Sequence, residues 1–467
     1  MPPLSAPLER VAVSILSTGH NCGKESRPLR SRYLYYRRSH PANPSTRSLR
    51  GPRLILLAQS RFPFWLQLLM ALTLMVGGWF YGLKISTMGL EAMGKAIPPF
   101  VDLFPAWYGT REVVLHHGDP YSDQVTAQIQ KAIYDRTASS GMDQQRFAYP
   151  VFSVFLFFPF ALAPLPLAEK LAFVVFVALL VASIAWWTGK MHARQLLLVT
   201  LLAAAAFPCY YVLIALQPTL LVASAMAAAC AAARRGRLLL SGVLLALACV
   251  KPQLAIGVLA PLFAWAIHDM RRRWTLPLAF LGAGVALFAF GQLILPGWVP
   301  EWLGVVRAYA GYARATSAIS SLGRLPGMVL AVAIVAAVAI ATWRHRDDLP
   351  FTSALCVSTV LLVVPLHIYD QFLLLVPALW LFANRDCFVE WTGQRLLALL
   401  DIALTIGWVW QVLLVPVYLL SRHAALILWG VPFGLIGVLP FTAFLPLFYR
   451  AFWIGRGHPA QAQKLAV

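Results

Sequence analysis

Apolar runs of roughly twenty residues recur along the chain from Phe62 to Phe448, separated by short polar turns. Wound as helices, such runs match the hydrocarbon thickness of a bilayer. They predict spans over residues 62–81, 195–214, 219–233, 238–250, 254–268, 276–295, 325–343, 351–366, 371–382, 395–419 and 424–448. Two further runs, 147–163 and 167–187, are separated by Pro164-Leu165-Pro166. No stretch alternates apolar and polar residues as a membrane barrel does. The predicted fold class is all-α, a polytopic transmembrane helix bundle.

One long polar interval, 84–146, interrupts the pattern directly after the first run. It holds seven of the 18 acidic residues: Glu91, Asp102, Glu112, Asp119, Asp123, Asp135 and Asp143. Pro98-Pro99 and Gly118-Asp119-Pro120 break it. Between them, residues 103–115 have the spacing of a short helix suited to a membrane surface. A chain with so few carboxylates, grouped this way, is predicted to do its chemistry there.

Composition agrees with the pattern: 60% of residues are hydrophobic and 12% charged. The net charge of +20 is not read as a nucleic-acid signal. Its largest block, 11 Lys/Arg against two Glu, lies in residues 1–61, which read as a basic, disordered cytoplasmic tail without a signal peptide. Counting 147–187 as one net crossing puts 14 further cations on the side of the N-terminus, as the positive-inside rule requires. They run from Lys190 and Arg194 to Arg450 and Arg456. Twelve spans follow, with both termini cytoplasmic, a short C-terminal tail over 451–467 and a membrane domain over 62–450. One of the two runs in 147–187 must then be re-entrant. The first, carrying Pro150 and Pro159, suits that role, since broken backbone is tolerated where it lines a protein cavity. The six cysteines include no C-x-x-C pair.

This topology places Asp102, Gln217, Lys251-Pro252-Gln253, residues 296–324 and His367-Ile-Tyr-Asp370 on the outer side. Lys251 interrupts an apolar stretch between two short runs. An ionisable group at such depth is costly and marks a functional candidate, here suited to an anion such as a lipid phosphate. The plainer alternative is a lysine reaching up to the headgroups. Asp102 sits at an apolar boundary, where desolvation raises a carboxyl's pKa and helps it serve as a base. Its plainer alternative is a helix cap. His367 and Asp370, three apart, would share a helical face, with Asp370 orienting His367 or binding a sugar hydroxyl; an interfacial polar cap is the alternative. No D-x-D occurs, so no metal is expected.

Several pieces match one pattern: Asp102 opening a loop that ends Gly118-Asp119-Pro120-Tyr121, then Arg146-Phe147-Ala148-Tyr149-Pro150, Gln217, Lys251-Pro252-Gln253, and His367-Ile-Tyr-Asp370. This resembles glycosyltransferase family 87, membrane enzymes of the GT-C class that use polyprenyl-phosphate-mannose to build cell-envelope glycolipids. The resemblance covers about residues 62–450 and departs at Leu216-Gln217-Pro218-Thr219 and Tyr149-Pro150-Val151. It implies a multi-pass protein of the bacterial inner membrane with its active site outside. The implied reaction is inverting transfer of a hexose, mannose in the relatives, from a polyprenyl-phosphate donor to a glycolipid or glycan acceptor, without cofactor. By this resemblance Asp102 is the catalytic base. Lys251 and Arg146 hold the donor phosphate; Gln253, Gln217, Tyr121, Tyr149, His367 and Asp370 contact substrate. Two other functions stay open on the residues alone. A lipid-linked sugar flippase or transporter also needs a deep cation, but not a base in the outer loop. An O-antigen polymerase or ligase needs a large loop, normally late in the chain.

Overall fold

A computed structural model describes residues 62–92, 102–139, 143–189, 191–312, 317–420 and 425–454. The basic tail expected over 1–61 and nearly all of the C-terminal tail lie outside the described residues. The described residues form an all-α protein. α1 (Phe64–Ala92) runs past the expected end of the first span, with no proline before Pro98 to stop it. α2 (Leu103–His116) and α3 (Asp123–Tyr134) fill most of the polar interval. A 3-10 turn (Val151–Ser153) leads into α4 (Val154–Ala161), and α5 (Leu165–Thr188) follows.

α2 is not an isolated surface helix. It buries Leu103, Ala106, Trp107, Thr110 and Val113 and packs on α4. α4 has only eight residues, about 12 Å of rise, so it is too short to cross a bilayer. Its last carbonyls would lie orphaned in an apolar setting. α2 satisfies two of the carbonyls at that end: the Trp107 indole donates to Ala163 O (3.2 Å) and Arg111 Nη1 to Ala161 O (2.8 Å).

The apolar run 195–214, expected as one span, is two helices, α6 (Ala193–Ala205) and α7 (Phe207–Ile214), bent by 79°. Pro208 is the cause: its ring nitrogen has no proton for the carbonyl four residues back. That carbonyl, Ala204 O, instead accepts from the Trp79 indole of α1 at 3.2 Å.

The centre is built from α8 (Thr219–Arg234), α10 (Pro252–His268) and α15 (Leu349–Val363). Twelve of the 16 residues of α8 are buried, half of them alanines, and small side chains let neighbouring backbones approach. Thirteen of the 15 residues of α15 are buried, the mark of a helix surrounded on every side. α9 (Leu238–Ala248) returns the chain between α8 and α10. After the short α11 (Met270–Arg273) come α12 (Thr275–Ile294), α13 (Trp298–Tyr312) and α14 (Arg324–Arg344). A 3-10 helix (Ile368–Leu374) leads into α16 (Leu375–Ala383), then α17 (Trp391–Leu420) and α18 (Ala425–Phe452).

Among the described residues, α5, α12 and α14 are long and apolar enough to cross a membrane, the bent pair α6–α7 makes a fourth if it is one span, and eight shorter apolar helices, including α8, α9, α10 and α15, accompany them. The outer surface carries Leu278, Leu281, Val285, Phe288 and Leu293 of α12, all exposed. So much apolar surface requires a bilayer, and this is a membrane protein. α12 is the barest of the three long apolar helices, and it joins the bundle chiefly through α9. At Gly242 of α9 a side chain would collide with the backbone of Leu276 and Phe280, so glycine permits that close approach.

Candidate active site

Three chain breaks deliver the polar residues to one end of the central helices. α7 ends with Leu216 in the left-handed conformation (φ 48°), and Gln217 N donates back to Val212 O (2.9 Å). This six-to-one bond is a Schellman-type stop, unusual with leucine in place of glycine. Holding leucine there costs about 1–2 kcal/mol, which its full burial offsets. Gln217 follows, and Pro218 starts α8. At the second break Lys251 precedes Pro252, which disfavours helical backbone at Lys251 and then supplies the first turn of α10. The third break is the turn between α15 and the 3-10 helix, which carries His367 and Asp370.

Asp102 occupies the N-cap position of α2, but its side chain makes no cap hydrogen bond. Instead Gln217 Nε2 donates to Asp102 Oδ2 at 3.1 Å, across 115 residues of sequence. The Gln217 carbonyl Oε1 accepts from the Tyr149 hydroxyl and from Lys251 Nζ, each at 3.3 Å. One amide therefore joins the carboxylate to the cation. Lys251 Nζ also donates to Thr219 Oγ1 (2.6 Å), pairs with Asp370 Oδ1 (3.4 Å) and sits 4.9 Å from the Tyr369 ring centre. Thr219 Oγ1 donates to the same Asp370 oxygen at 2.8 Å. Lys251 is 8% exposed and Asp370 2%, so each charge depends on the other. The lysine does not reach up to headgroups; it is held inward.

The remaining sequence-predicted residues divide. Tyr121 donates its hydroxyl to Tyr149 O (2.8 Å) and so braces the tyrosine that reaches Gln217. Asp370 and His367 do not pair through the ring. Asp370 Oδ2 accepts from the His367 backbone N–H (3.3 Å), whereas the imidazole Nε2 lies 2.6 Å from the Tyr309 hydroxyl. The 3-10 winding accounts for this, because its three-residue repeat turns Asp370 back onto the N-cap backbone. Arg146 stands apart from the network, 3.4 Å from exposed Asp123. Gln253 is exposed on the first turn of α10 and takes no part in the network. Thr219, Tyr309 and Tyr369 enter the site without having been singled out in the sequence, and Asp143 joins them from the acidic interval.

Burial raises the Asp102 carboxyl to about 7, and the like charge of Asp143 adds to the effect. The Gln217 hydrogen bond and Lys251 pull the other way, and Asp370 raises it further. Burial also raises Asp143, although its carboxylate accepts from Gln145 N (3.0 Å) and Gln145 Nε2 (3.1 Å). Burial lowers His367 and favours its neutral form, with Lys251 acting in the same direction and Asp370 and Asp143 opposing. Among the described residues, no group of three or more His, Cys, Asp or Glu side chains is placed to hold a metal ion.

A partly buried carboxyl poised near neutrality, one amide away from a buried ammonium, can accept a proton while an anion forms beside it. Residues 147–365 match the model of glycosyltransferase family 87. This is the family the motifs resemble. The matched segment contains Tyr149, Gln217, Thr219, Lys251 and Tyr309; Asp102, His367 and Asp370 lie outside it and reach it through hydrogen bonds. No curated protein and no solved structure matches the chain.

Proposed function

We propose that the protein transfers a hexose, mannose by the family resemblance, from a polyprenyl-phosphate donor to an envelope glycolipid or glycan, inverting the anomeric carbon. The observation that carries this reading is the Gln217 amide, bonded at one end to Asp102 and at the other to Lys251. A single displacement needs a base on one side of the anomeric carbon and a counter-charge for the leaving phosphate on the other. The acceptor hydroxyl attacks that carbon and Asp102 takes its proton. The bond to the phosphate oxygen breaks, and the electron pair leaves with polyprenyl phosphate. Lys251 has rotatable donors and can exchange Thr219 and Gln217 for phosphate oxygens. α8 and α10 both begin at the site, so their positive dipole ends favour an anion there. Asp370 pairs with the lysine, and in this scheme Tyr149 and His367 meet sugar or phosphate oxygens. Arg146 and Gln253 have no part in this scheme.

The same helices carry their cations at the far end: Arg234 closing α8 with Arg235 and Arg237 just after it, and Arg271–Arg273 after α10. That polarity supports twelve spans, cytoplasmic termini and a site facing outward. The reading is tested with the purified protein in lipid nanodiscs, given polyprenyl-phosphate-mannose and a mannolipid acceptor in the presence of a chelator. Release of polyprenyl phosphate with an inverted mannosyl product is expected. Transfer from a nucleotide sugar instead, or no release at all, overturns it.

A further inference from the structure

α13 follows α12 and packs on the protein with a single face. Trp298, Trp302, Val305 and Tyr309 recur at i, i+4, i+7 and i+11, which places them in one stripe about 16 Å long. Glu301, Leu303, Gly304, Val306, Arg307 and Ala308 on the other faces are exposed. The start of the stripe is seated on the segment that carries Tyr149. Trp298 and Val305 are buried with Tyr121, Phe147 and Val151, and the Trp302 indole donates to Ala148 O at 3.3 Å. The end of the stripe reaches the opposite wall. The Tyr309 hydroxyl lies 2.6 Å from His367 Nε2 and 3.2 Å from the Tyr369 hydroxyl, and its ring meets the imidazole edge-on at 5.5 Å. The imidazole in turn stacks on Tyr369 at 5.0 Å. One rigid helix thus spans from the Tyr149 wall to the His367 wall.

We infer that Tyr309 is a positioning residue for this transferase: it holds the His367 imidazole in place, and through α13 it fixes the spacing between the two walls of the site. The inference rests on the proposed sugar transfer for its kinetic consequence, but not for its structural one. Asp370 binds only the backbone of His367, so the ring's orientation depends on Tyr309 and on the Tyr369 stack. Removing the hydroxyl leaves the rings packed and the imidazole free to tilt.

The test is a double-mutant cycle on the full-length protein in nanodiscs. Tyr309→Phe keeps the ring, so its thermal unfolding midpoint should stay close to the parent's. Its kcat should fall about tenfold with KM for donor nearly unchanged, the scale of one lost hydrogen bond to a working group. In a His367→Gln background the same change should cost nothing more, because the residue it acts through is gone. Equal losses in both backgrounds, or no loss in the parent, overturn the proposal. A second arm needs no turnover. In protein labelled with 15N-histidine, the ring signal that disappears in His367→Gln should shift or broaden in Tyr309→Phe; an unmoved signal refutes the positioning role. If the parent fails to transfer sugar, the proposed function falls while this arm still decides the role of Tyr309.

Discussion

α15 carries a cation–carboxylate pair near each end, and the two are built differently. Beyond its C-terminus, Lys251 and Asp370 are buried together with Thr219 and Gln217. At its N-terminus, Asp348 caps the helix through Phe351 N (3.2 Å) and receives Arg450 of α18 at 3.3 Å. Arg450 lies 4.2 Å from the Phe351 ring centre and 4.5 Å from that of Trp380. A guanidinium is planar, diffuse and weakly hydrated, so it suits a permanent brace between aromatic rings and a carboxylate. An ammonium is a compact point charge with three rotatable donors, suited to changing partners. The choice of cation, together with the depth of burial, separates a joint from a working group.

The sharpest way to break this contrast acts on the proposed base, which the Gln217 amide joins to the buried pair. Asp102→Asn should lower turnover by ~10²–10⁴-fold, the usual contribution of a general base, while donor binding measured on the same protein survives. Parental turnover would make Asp102 merely a polar contact for Gln217.

Next come the pairs themselves. Lys251→Ala should lower turnover by on the order of 10²-fold or more, since it removes the counter-charge for the leaving group. It should also lower the unfolding midpoint, because a buried carboxylate left alone costs about 3–5 kcal/mol. Lys251→Arg should restore stability more than activity. Arg450→Ala should cost about 1 kcal/mol of stability and leave kcat/KM within about twofold, as its pair is half-exposed. Arg450→Ala with the catalytic defect of Lys251→Ala would erase the distinction between the two ends.

The smallest effect sharpens the electrostatics. Asp102 must be ionised to accept a proton, and its carboxyl is raised to about 7, so kcat/KM should fall as pH drops below about 7. Asp143 is a like charge that raises Asp102, so Asp143→Asn should move this acidic limb to lower pH. A limb that stays in place, or moves upward, would remove Asp143 from the field of the base.

Much of the site was legible because each residue violates its surroundings. Lys251 and Gln217 interrupt apolar runs, and such interruptions are costly enough to need a reason. Neighbours in sequence fall outside the network for the complementary reason. Gln253 is two positions from Lys251, and residues i and i+2 on a helix do not face each other. Arg146 belongs to the right motif but finds Asp123 first. Tyr309 was hidden because an amphipathic helix in a loop between apolar runs does not interrupt one; its stripe from Trp298 was the available signal. Thr219 is small and mildly polar, and nothing in one sequence separates it from other threonines. For the fold, the long runs read correctly as helices, but the bend before Pro208 depended on a distant indole, Trp79, to accommodate a freed carbonyl.

The bare contact of α12 has a consequence for the far side of the pocket. α12 leads through Leu295–Gly297 into α13, so the aim of Tyr309 begins at a helix that is bare over most of its surface and meets protein mainly along α9. At Gly242 the backbone of α9 meets that of α12 with no side chain between them, so the seat of α13 rests on one close backbone contact.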